Sequence, residues 1–107
     1  MAAATVLILM EIVRWVSDEP FPGLVEARLT DAHGRTWTFI DKHPMFDARG
    51  QLSATVTYPV HLPVPFSVIE DRGSRLVVSS ANPAGVETTD GVSSFEMLRD
   101  QVVDGTQ

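Results

Sequence analysis

The chain has 107 residues, no cysteine and a formal net charge of −6, from 14 acidic against 8 basic side chains. A chain of this size is one domain, 1–107, and can bury about 60–70% of its unfolded surface without a disulfide or structural metal. The composition excludes a thiol nucleophile, a disulfide framework and cysteine-ligated zinc, and the negative charge argues against long-range attraction to nucleic acid or anionic lipid.

The chain opens on AAATVLILMEIVRWV. A secretory signal needs a basic n-region and a small-residue cleavage site, but no Lys or Arg precedes Arg14 here and Glu11 breaks the apolar run. As a helix, residues 2–10 would span only about 13 Å, against roughly 30 Å of hydrocarbon. The segment therefore reads as folded structure. A short apolar run fits strand or helix by period alone, so content decides. β-Branched Thr5, Val6, Ile8, Ile12, Val13 and Val16, with Trp15, suit a pleated surface and lose rotamer freedom in a helix. Val6, Ile8, Met10, Ile12 and Val16 share one parity, broken only by Arg14. The reading is a strand over 5–16, buried on one face throughout and on the other in part. At roughly 40 Å it is long enough to bend across a barrel.

Turn signals follow at short intervals: DEPFPG at 18–23, DAHG at 31–34, DARG at 47–50, DRGS at 71–74 and NPAG at 82–85. Asp or Asn opening the turn with Gly at or near its end suits type I and bulged hairpin turns. Between the first two, LVEARLT puts Val25, Ala27 and Leu29 on one face. RTWTFIDK then puts Trp37 and Phe39 inward, and DAHG joins the two into the clearest hairpin of the chain. ATVTYPV (54–60) and VPFSVIED (64–71) alternate like strands but carry Pro59, Pro63 and Pro65. Proline donates no ladder hydrogen bond, so these belong at edges, bulges or strand starts. RLVVSSA (75–81) is a further strand. In the last segment Ser93 and Glu96 offer a capping box ahead of Phe95, Leu98 and Val102, yet VSSFEML after TDG also fits a closing strand. The reading is a strand through about Leu98, with a helical turn or a frayed tail, 100–107, after it. The whole pattern indicates a mainly β fold, a small antiparallel β-barrel of about six or seven strands, with a β-sandwich as the alternative.

The densest polar cluster is DKHPMFD, with Asp41, His43 and Asp47. Such ligands can hold a divalent ion, but a site needs three or four converging groups, and only distant His61 could join them. Pro44 also forces an extended backbone at His43. A polar loop without metal is expected. No G-x-S-x-G, glycine-rich phosphate loop or H-E-x-x-H is present, and no cofactor is implied. Tyr58 and Phe66 could offer rings to a single strand of nucleic acid, but no basic stripe accompanies them.

Two proline-aromatic segments remain, EPFPG and YPVHLPVPF. Stiff, extended apolar segments lose little entropy on docking, and the same prolines also blunt sheet edges against aggregation. By elimination the chain reads as a non-enzymatic, cofactor-free binding module of the cytoplasm. Its contacts to a protein partner would come from Phe21, Tyr58, Phe66, Glu70 and Asp71. The partner would be a basic protein that the chain inhibits or accompanies, or a second copy of itself, with no nucleic acid and no membrane involved. The alternative is a small-ligand barrel or enzyme with its site in the barrel mouth. Seven of the eight basic residues are arginine, which points to the coding bias of a GC-rich bacterial genome.

Overall fold

The computed structural model describes residues 4–104. It contains seven strands: β1 (Thr5–Ser17), β2 (Leu24–Thr30), β3 (Thr36–Lys42), β4 (Val60–Asp71), β5 (Arg75–Pro83), β6 (Ser94–Leu98) and β7 (Val102–Asp104). Six run antiparallel in the order β3-β2-β1-β4-β5-β6 and curl into a half-barrel, while β7 pairs with β1. The β fold read from the turn spacing is therefore present, as the small-barrel form.

β1 organises the sheet. Val6, Ile8, Met10 and Ile12 are buried, so the even parity faces the core. Its length serves three partners: residues 5–12 pair with β4, 6–8 with β7 and 11–17 with β2. The break at Arg14 has a local cause. The register with β2 shifts between Ile12 and Arg14, a bulge that sets Arg14 opposite Glu26 rather than facing the core. Trp15, opposite Val25, packs partly into the core, and its indole N–H donates to Asp18 at 2.8 Å. A Cβ on Gly23 would lie 2.2 Å from the Trp15 ring at φ +120°, so glycine alone fits this turn.

The predicted hairpin forms over its full length, from Leu24 opposite Lys42 to Thr30 opposite Thr36. Asp31 holds its turn. One carboxylate oxygen accepts the amides of His33 (2.8 Å) and Arg35 (3.0 Å), and the other accepts the Trp37 indole N–H at 2.9 Å. Burial alone would raise the Asp31 pKa, but the Trp37, Arg35 and His33 donors outweigh it and hold the carboxyl below its ordinary value.

β3 and β6, at the two ends of the strand order, meet through aromatic rings. Phe95 of β6 lies 5.5 Å from Trp37, 5.8 Å from Phe39 and 6.4 Å from Phe66, centroid to centroid. Backbone bonds from the Ala32 amide to the Glu96 carbonyl (2.8 Å) and from the Thr89 amide to the Thr38 carbonyl (2.9 Å) also link the two ends of the half-barrel. Fully buried Phe39, Phe66, Ile8 and Met10 fill the interior.

Two expectations are corrected. Residues 54–59 are turn and coil, not strand. The Ser53 hydroxyl and carbonyl take bonds from the amides of Thr55 and Val56, and the Tyr58 hydroxyl donates to the Ser53 carbonyl at 2.7 Å. Local bonds of this kind compete with a ladder. The following strand instead begins at Val60 and runs through Pro63 and Pro65. After β6 comes a 3-10 turn, Arg99–Gln101, where a helical turn was one of the two expectations, and then β7. Residues 105–107 lie outside the described residues.

Removing the Asp31 carboxylate should cost about 2–3 kcal/mol, because the Trp37 indole and two turn amides lose their acceptor. Urea unfolding of Asp31→Ala measures this. A folded pKa below the unfolded one stabilises above the unfolded value and is lost as pH falls through the folded one. Wild-type stability should therefore fall on acidification below the ordinary aspartate range, and Asp31→Ala should flatten part of that fall.

Candidate functional site

The five residues expected to contact a partner do not form one surface. Phe21 is 84% exposed on the 18–23 turn. Tyr58 is half-buried and tied to Ser53. Phe66 is fully buried, which corrects its assignment as a contact: β4 alternates with Leu62, Val64 and Phe66 inward, and Phe66 packs on Phe95. Glu70 and Asp71 are exposed but not free. Arg72 Nε donates to Glu70 at 2.8 Å, and Arg99 donates to Asp71. These donors hold both carboxyls below their ordinary pKa.

The same end of the sheet carries Glu96, which takes His33 Nε2 at 2.6 Å, Arg72 at 3.3 Å and Arg75 at 3.6 Å. On the sheet face, Glu26 is buried between Arg14 (2.8 Å) and Arg28 (2.9 Å). Burial would raise the Glu26 pKa, but the two guanidinium bonds reverse the direction and lower it. Among the described residues these bridges engage five of the arginines with four carboxylates. Arg35, Lys42 and Arg49 are the cations outside them, against a majority of the acidic side chains.

A different surface lies where β7, β1 and β4 run side by side. Register puts Val103 opposite Leu7, Leu7 opposite Pro65 and Leu9 opposite Pro63, all on the outer parity. Leu9 is 63% and Val103 64% exposed, so this is a continuous apolar patch, bordered by Glu11 opposite His61. Sequence reading missed it. Its trace was present as apolar residues on both parities of β1, which were assigned to burial.

Beside the patch the sheet stops. The Val68 amide donates to the Ala4 carbonyl at 2.8 Å, which sets the phase of the β1–β4 ladder. Leu62, Val64 and Phe66 accordingly bond to β1, while the backbone of His61, Pro63 and Pro65 points away from it. β5 meets β4 only from Phe66 onward. Across 61–65 the outward edge thus carries one N–H, that of His61. The 43–52 loop faces this edge and encloses a groove of about 380 Å³ lined by Leu7, Phe46, Asp47, Arg49, Gln51, His61, Leu62, Pro63 and Pro65, among others.

The three weak metal candidates separate in role. Asp41 accepts the Lys42 amide at 2.9 Å, and the His43 ring packs tilted against Trp15, 5.2 Å centroid to centroid. Asp47 is buried, and its Oδ2 accepts the Leu52 amide at 2.7 Å. Among the described residues no three His, Asp or Glu side chains are grouped to hold a metal, and no helix is long and apolar enough to cross a membrane. Comparison with protein-family models, curated proteins and solved structures gives no match to the chain.

Chelator treatment should leave the melting temperature of the purified protein unchanged. A divalent ion bound at one equivalent would contradict this geometry.

Proposed function

We propose that the chain is a non-enzymatic binding module that docks a basic protein partner on the outer face formed by β7, β1 and β4. The observation that carries this reading is the patch of Leu7, Leu9, Pro63, Pro65 and Val103, apolar and contiguous across three strands. The charge supports a basic partner, because most arginines are already bridged and the unbridged surface is rich in carboxylate. Buried rings fill the barrel interior, which weighs against a ligand or catalytic site in its mouth.

Leu9→Glu with Val103→Glu should abolish partner capture while leaving the melting temperature nearly unchanged, since both positions are exposed. Equal capture by wild type and variant would contradict the proposal. A wild-type dimer that the variant makes monomeric would make a second copy the partner. With a basic partner, association should slow several-fold between about 0.02 and 0.3 M salt. Reversing Glu70 and Asp71 to Lys should slow it further, because Arg72 and Arg99 are released as well.

A further inference from the structure

We propose that the groove beside the 61–65 edge is a receptor for a primary ammonium, and that its occupant is a lysine side chain of the docked partner. The inference rests on the binding-module reading above and adds the recognition chemistry. Asp47 lines this groove and is only 5% exposed. Its Oδ2 is engaged by the Leu52 amide, while its Oδ1 is buried and has no hydrogen-bond partner among the described residues. A buried carboxylate oxygen without a donor is costly, and a donor arriving from outside recovers that cost.

The rest of the lining selects the donor. Leu7, Phe46, Pro63 and Pro65 give an apolar wall for an alkyl stem, which is how lysine buries its methylenes behind a polar head. Because Oδ2 already accepts the Leu52 amide, a guanidinium fork would have to share that oxygen, whereas a point donor such as ammonium needs only Oδ1. The edge adds acceptors of the same sense. His61 and Pro63 turn carbonyls outward, and Pro63 and Pro65 have no N–H, so an incoming strand finds too few donors to pair with. Arg49 also lines the groove, yet it is exposed and makes no salt bridge to Asp47 among the described residues. Its charge opposes a cationic occupant. Oδ1 is shielded from solvent, so an ammonium reaches it only by displacing the groups that cover it.

Amide NMR titration at low salt tests this with n-butylammonium, n-propylguanidinium and n-butanol as probes. The Leu52 amide reports directly on the Asp47 carboxylate. Saturable shifts are expected at Leu52 and at residues 47–49, with ammonium binding about tenfold tighter than the alcohol and several-fold tighter than guanidinium. Asp47→Asn keeps an acceptor for Leu52 but replaces the other oxygen with an N–H donor. It should weaken ammonium binding about tenfold or more and leave the alcohol unaffected. Arg49→Ala should tighten ammonium binding. Equal ammonium affinity in D47N, or shifts that never saturate, would overturn the proposal. So would an Arg49→Ala variant that melts earlier and shifts Leu52 without probe, since Arg49 would then be the partner of Asp47. A partner still held by D47N but lost by the Leu9 and Val103 variant overturns the lysine site alone and leaves the docking face standing.

Discussion

Two missing N–H groups organise this molecule. Pro63 and Pro65 sit inside β4, where a ladder would ordinarily require donors on both sides. They are tolerated because the phase of the pairing turns their nitrogens away from β1. β5 pairs with β4 only from Phe66 onward, so the sheet ends there and the 43–52 loop faces an outward edge with a single N–H. Proline thus disarms this edge. An apolar outer face can remain exposed beside that edge, since other chains find few donors to extend the sheet.

Charge is arranged to the same effect. Bulging at Arg14 brings it to Glu26, and the β4–β5 turn gathers Glu70, Asp71 and Glu96 with Arg72, Arg75 and Arg99. These clusters are close to neutral internally. Among the described residues the net negative charge therefore resides in carboxylates outside the arginine bridges, and one oxygen of Asp47 is buried with no donor among them. Long-range attraction and local hydrogen-bonding need both favour a cation.

Much of the architecture was legible in the sequence. The parity of Val6, Ile8, Met10 and Ile12 located β1, and the DAHG turn located the β2–β3 hairpin, because period-two burial and turn chemistry are local signals. The 54–60 segment misled because alternation is also met by a loop whose Ser53 bonds close on themselves. β7 was invisible, since three residues acquire their pairing only from β1. The docking face was hidden for a related reason. Apolar Leu7 and Leu9 look like core until the register shows only prolines and a short strand beside them. Asp47 stood out only as a weak metal candidate in a loop expected to hold none, and its burial and half-satisfied carboxylate depend on how the loop folds back, which spacing does not encode.

Native-state amide hydrogen exchange tests the open edge most directly. The amides of Leu62, Val64 and Phe66, bonded to β1, should be strongly protected, while that of His61 should exchange near the rate of an unprotected amide. Protection of His61 equal to that of Leu62 would contradict an open edge, because the edge at 61–65 would then be covered.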